Sequence, residues 1–193
     1  MEFLTEEALR EARPSIPYRI FGTRYENILT EARSGVLSIF LSHSHKDRPL
    51  VEGLIAILDK LGIQIYVDWN DSDMPRVTNR ETAEKIKRQI HENTLFMILA
   101  TPGALASRWV PWEVGIGDQV KGQESILLVP VADPSGNFHG NEYLQLYYNL
   151  RLLEMRFSDW QRPRQRIFSP SGNDVGSLLE HIERASRRGP LFS

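Results

Sequence analysis

Four short apolar runs recur along this 193-residue chain: VLSIFL (36–41), IQIYVDW (63–69), TLFMILA (94–100) and SILLVPV (125–131). Each is bounded by polar residues. Each is too short for an ordinary helix and reads as a strand, VLSIFL as a buried one. The segments between them carry helical spacing. Arg48 to Leu61 sets Leu50, Val51, Leu54, Ile57, Leu58 and Leu61 on one stripe, closed by Gly62. Arg80 to Glu92 places Ala83, Ile86 and Ile90 on one side of a polar helix. The turn-rich PGALASRWVP leads into a helix from about Pro111 to Val120. Strand and helix alternating in this way predict an α/β fold, an open parallel sheet with helices on both faces. Such sheets bind ligands beyond the carboxyl ends of their strands. That rule directs attention to Ser42–Asp47, Trp69–Asn79, Thr101–Glu113 and Ala132–Gly140.

The flanking segments are less regular. FLTEEALREA (3–12) reads as a short helix with Thr5 as cap and Pro14 as stop, and Tyr25 to Arg33 is a second amphipathic stretch. Residues 1–35 therefore form a short helical N-terminal extension, and 36–193 the main domain. Residues 133–150 read mostly as loop, with one helical turn at most. RLLEMRF (151–157) reads as a short edge strand, and Val175 to Arg187 as a final helix capped by Asp174.

Composition excludes several function classes. No cysteine is present, so disulfides, thiolate catalysis and Cys-ligated zinc are ruled out. Net charge is -2, which favours neither nucleic acid nor an anionic membrane as partner. The opening MEFLTEEALREARPSIP is acidic and too weakly apolar for a signal peptide, and no run reaches membrane-spanning length. The expectation is a soluble cytoplasmic protein.

The stretch SRWVPWEVGIGDQ (107–119) carries the sharpest chemical signal. Pro111 suits a first helical turn, so Glu113 would sit where a carboxylate complements the helix dipole. On residue type alone that structural role is the default. Two indoles beside the carboxylate argue for more, because tryptophan faces attract cations and stacked heterocycles. If the helix already begins near Trp109, then Trp109 and Glu113 share a face. Trp112 and Ile116 share another, more suited to core. The SHSHKD run (42–47) holds His43, Ser44 and His45 in a strand-to-helix loop. Turn and cap roles outweigh metal binding there, since no further histidine-rich partner is evident. The alternative is phosphate or ribose contact at a helix start. The 70–79 loop, with Asp71, Asp73 and Pro75, lacks the closing glutamate of a calcium loop. No Gly-rich phosphate loop and no GxSxG are present.

Taken in order, these segments resemble the TIR domain family. FLSHSHKD (40–47) resembles its first box, and YVDW (66–69) with its polar loop resembles the second strand and BB loop. LATPGAL (99–105) is similar to the third strand and turn, SRWVPWE (107–113) to the S-x-W-x-x-x-E segment, and ILLVPV (126–131) to the following strand. The resemblance implies a flavodoxin-like fold of the bacterial stand-alone, NAD-processing type. It implies Glu113 as catalytic residue, and Trp109, His43, Ser44, His45, Trp112 and Phe138 as substrate-binding candidates. NAD+ would be substrate, with no cofactor and no metal. Cleavage of the nicotinamide–ribose bond would give ADP-ribose or a cyclic or modified ADP-ribose signal. The resemblance further implies self-association through the 70–79 loop, a downstream effector, and a role in anti-phage defence. Two other readings remain at this point: a non-catalytic TIR scaffold, and a flavodoxin-like N-glycosidic enzyme acting on free nucleosides.

Overall fold

A computed structural model describes residues 3–13, 39–60, 63, 80–153 and 164–188. Among them, seven strands form one sheet: β1 (Leu4–Thr5), β2 (Ile39–Ser42), β3 (Leu95–Ala100), β4 (Ile126–Ala132), β5 (Tyr148–Leu153), β6 (Arg164–Phe168) and β7 (Asp174–Ser177). Their order is β2-β3-β4-β5-β6-β7, with β1 added to β4. The pairs β2/β3, β3/β4 and β4/β5 are parallel, while β5/β6 and β6/β7 are antiparallel. The helices are α1 (Glu6–Ala12), α2 (Arg48–Asp59), α3 (Arg80–Glu92), α4 (Pro102–Leu105), α5 (Val110–Val120) and α6 (Leu178–Arg188). The expected α/β architecture, a mostly parallel sheet flanked by helices, is observed.

Two apolar layers explain why β2, β3 and β4 carry no wet face. One holds Leu41, Met97, Leu99 and Val129 against Leu50, Leu54 and Leu58 of α2 and Ile182 of α6, and includes Leu9 of α1. The other holds Phe40, Phe96, Ile98 and Leu128 against Ile86 and Ile90 of α3 and Val110 and Val114 of α5. Alternate residues of β2, β3 and β4 thus enter opposite layers, as a doubly covered sheet requires. Burying a Leu or Ile side chain in such a layer stabilises the fold by about 1.5–3 kcal/mol.

Several expectations change. Residues 151–153 do not form an edge strand: they end β5, which starts at Tyr148 and lies between β4 and β6, while 154–157 lie outside the described residues. The β6/β7 pair was not expected at all. Its signal is hidden because Gln165, a polar residue, alternates inward with Ile167. Asp174 does not cap the last helix; it lies in β7, where Arg166 Nε donates to its carboxylate at 2.8 Å. The cap is Ser177, whose Oγ accepts from the Glu180 N–H at 3.3 Å while Glu180 Oε2 accepts from the Ser177 N–H at 2.7 Å, a reciprocal capping box. Before α1, residues 4–5 are extended, and Thr5 caps that helix as expected, accepting from the Ala8 N–H at 3.2 Å. The second strand, the 70–79 loop and the 25–33 stretch lie outside the described residues, apart from Ile63.

The segment 4–12 is tied to the domain on both sides. Leu4 pairs with Val131 and Thr5 with Ala132, so β1 runs beside the carboxyl end of β4. Leu9 is fully buried against α2. A Cβ on Gly53 would stand 1.8 Å from the Leu9 carbonyl oxygen, so only glycine permits this approach of the two helices. Buried Glu52 accepts from Arg13 and, at 3.3 Å, from Arg48.

Candidate active site

β2 ends in Ser42, and the first turn of α5 carries Glu113. The two meet at the carboxyl edge of the sheet, where Ser42 Oγ donates to Glu113 Oε2 at 2.5 Å. Ser42 is 1% exposed and Glu113 8%. A carboxylate that only complements a helix dipole would be solvated. This one is withdrawn from water and reaches across to the neighbouring strand, an arrangement that needs compensating hydrogen bonds.

The helix begins earlier than the sequence suggests. Trp109 already has helical dihedrals (φ -90, ψ -46), and Val110 is the first α5 residue, ahead of Pro111. The Glu113 N–H donates to the Trp109 carbonyl at 2.8 Å. Trp109 and Glu113 are therefore one helical turn apart, as the earlier start requires. Ser107 Oγ accepts from the Trp109 N–H at 3.1 Å and fixes the entry to the helix. The Trp109 and Trp112 rings meet edge to face, centroids 5.1 Å apart at 88°. Both are half-buried against the second apolar layer. The Lys87 ammonium lies 5.9 Å from the Trp112 ring, linking α3 to this pair.

The first loop divides into separate roles. His43 Nδ1–H donates to the Leu41 carbonyl at 3.0 Å, the tautomer this contact requires. Burial pushes its pKa down to about 4, with nearby His45 adding a smaller push the same way. His43 is thus a neutral ring at physiological pH. Ser44 Oγ accepts from the Lys46 N–H at 3.4 Å and caps the short turn His45–Asp47. His45 is exposed, its ring 6.2 Å from that of His43. Asp47 accepts from the Thr101 hydroxyl, and its carboxyl is held above the ordinary range mainly by burial. Thr101 Oγ1 also accepts from the Ala104 N–H at 2.9 Å, capping α4. A Cβ on Gly103 would stand 3.1 Å from the Asp47 carboxylate, so the TPGAL turn is shaped to this contact.

Ser42 was not singled out in the sequence, although it stands beside His43 in the same run. The signal that could have found it is its place as the last strand residue before the loop. Phe138 is placed elsewhere. It lies after β4, half-buried, its ring 6.0 Å from that of Phe3, at a cavity between β4 and β5. No group of residues suited to a metal ion occurs among the described residues.

A profile of the TIR domain matches residues 39–166, from the first residue of β2 into β6. This chain belongs to the TIR-domain family. In it, β2, β3 and β4 carry the first-box, third-strand and following-strand segments read from the sequence, and α5 carries the S-x-W-x-x-x-E segment with Glu113. The TIR domain here is similar to "Probable 3' cyclic ADP-D-ribose synthase ThsB'" of Bacillus cereus (strain MSX-D12), 32% identical over 129 residues. That alignment covers 63% of this chain and 67% of the relative. It is also similar to "Putative cyclic ADP-D-ribose synthase TIR2" of Cytobacillus dafuensis, 33% identical over 82 residues, or 41% of this chain and 22% of the relative. Among the described residues no helix is long and apolar enough to cross a membrane.

Proposed function

We propose that this TIR domain cleaves NAD+ at the nicotinamide–ribose bond, with Glu113 as the catalytic carboxylate and a cyclic ADP-ribose as product. The observation that carries the reading is the buried Glu113, held by Ser42 at the carboxyl edge with Trp109 one turn before it. The names of the two relatives favour the cyclising outcome over simple hydrolysis.

The chemistry follows from the charges. The C1'–N bond breaks with its electron pair leaving on nicotinamide, which departs neutral. The ribose carbon becomes oxocarbenium-like, and a carboxylate beside the ribose offsets that developing charge and accepts from its hydroxyls. A low-dielectric pocket strengthens this interaction. Trp109 supplies a flat face for a ring. An internal nucleophile of the same ADP-ribose then closes the product, losing its proton; capture by water gives ADP-ribose instead. His43, neutral at physiological pH, adds no positive charge beside the end of β2.

Mass spectrometry of products from NAD+ tests the reading. The wild type is expected to release nicotinamide and a cyclic ADP-ribose; Glu113→Gln is expected to lose at least about a thousandfold in rate with its melting curve intact. Equal turnover by both proteins overturns it. We further propose that the domain self-associates through the 70–79 loop, that its product activates a separate effector, and that the pair acts in anti-phage defence. Sedimentation with and without NAD+ tests the first. Phage plating on cells carrying wild type or Glu113→Gln tests the rest, with loss of protection expected only for the variant.

A further inference from the structure

β4 changes partners along one edge. Leu127 and Leu128 pair with β5, whereas Val131 and Ala132 pair with β1. Pro130 lies between the two pairings and has no N–H to leave unsatisfied. Where β5 diverges, a cavity of about 230 Å³ opens. Its lining combines two chemistries. Phe3 and Phe138, their rings in tilted contact, line it with Leu128 and Leu144, an apolar surface against which a flat ring can lie. Gly140 lets the Phe138 ring lie close to the backbone, since a Cβ there would stand 2.4 Å from the ring. Asn141, Gln145, Asn149 and Arg151 supply the polar part of the lining, Arg151 beside the Phe3 ring.

Arg151 is fixed rather than free to swing. Its Nε donates to Asn149 Oδ1 at 2.9 Å, and its guanidinium carbon lies 4.1 Å from the Phe168 ring centroid and 5.3 Å from that of Phe3. A guanidinium stacked on rings keeps its charge and its planar fork, the geometry that suits phosphate. None of the described lining residues is acidic.

We propose that this cavity binds a nucleoside monophosphate unit, its base lying against the contacting Phe3–Phe138 pair and its phosphate on Arg151. The size suits half a dinucleotide and not a whole one. The unit has two sources. It is either the adenylate end of a dinucleotide whose other end sits at Glu113, or a free mononucleotide. Register allows the first: Ser42, Ile98, Leu128 and Asn149 form one row across the sheet. At about 4.8 Å per strand, the cavity lies about 10–14 Å from Ser42. That source alone rests on the NAD+ reading; binding of a mononucleotide does not.

Calorimetry with AMP and adenosine on the full chain is the test. AMP is expected to bind one to one. Arg151→Gln should weaken AMP about tenfold while changing adenosine binding less than about twofold. Gln145→Glu, at an exposed rim position, adds a negative charge without touching the core, and should weaken AMP to a similar degree. Nicotinamide release from NAD+ then separates the sources. A KM raised about tenfold by Gln145→Glu at unchanged kcat assigns the cavity to the adenylate end; an unchanged KM in that variant, with its AMP binding weakened, assigns it to a free mononucleotide. Absence of saturable AMP binding by wild type, or binding that neither variant alters, overturns the proposal whatever the outcome with NAD+.

Discussion

The Ser42 hydroxyl is the smallest feature on which the site depends. It has one buried acceptor, Glu113, and aims it along the sheet edge. A hydrogen bond to a charged group contributes about 1.5–3 kcal/mol. Ser42→Ala is therefore expected to lower kcat for nicotinamide release by about ten- to a hundredfold, with less effect on KM. Steady-state kinetics check this; wild-type kcat would remove Ser42 from the site. His43 gives a second prediction, from the sign of its shift. The unfolded chain takes up a proton near pH 6.5, while the folded ring resists until about 4. Between those values the unfolded state holds more protons, so stability falls as pH drops from 6.5 towards 4. His181, also lowered by burial, acts in the same direction. His43→Asn should reduce the stability lost between pH 7 and 5 by about 1–2 kcal/mol, read from urea unfolding at each pH. At this scale the sequence was partly legible. Glu113 and Trp109 stood out because an aromatic beside a carboxylate is chemically unusual. Ser42 did not, because one serine in a run of serines and histidines carries no distinguishing pattern until the strand end is located.

Among the elements, α1 and α2 share the tightest contact. With the Leu9 carbonyl 1.8 Å from where a Gly53 Cβ would stand, Gly53→Ala must lift α1 from its seat. Overpacking of this kind costs about 1–3 kcal/mol. The variant should melt at lower temperature, and its amides at 6–12 should lose protection in hydrogen exchange while those of β3 and β4 keep theirs. Retained protection at 6–12 would show that the helices can separate without consequence. α2, α3, β3 and β4 were legible almost to the residue, because their apolar spacing is long and regular. α5 began one residue early, as Pro111 marks a first turn without saying which position in it. β6 and β7 were missed because Gln165 faces inward and Arg166 is paired across the hairpin with Asp174, so polarity conceals the alternation. The Ser177–Glu180 box was present in the sequence, yet Asp174 offered a competing cap three residues earlier.

Across the whole molecule, the sheet edge at β4 draws together segments far apart in the chain. The alternation of strands and helices made the sheet predictable, but β1 carried no comparable signal. Two residues cannot show a period, and Leu4–Thr5 read as the start of a helix. Their pairing follows from what β4 leaves open after β5 departs. Its consequence concerns time. During synthesis the segment 4–12 leaves the ribosome long before Val131 and Ala132 exist, so its strand partner is absent while β2, α2 and β3 are being made. Contacts of such separation in sequence form late, because loop closure must precede them. The segment can meet α2 early through Leu9, but the wall that Phe3 provides is completed only when β4 has emerged. A nascent chain halted before β4 would carry Ser42 and Phe3 but not the Leu128 and Pro130 wall of the cavity, so the strand 4–5 must wait for a partner made more than a hundred residues later.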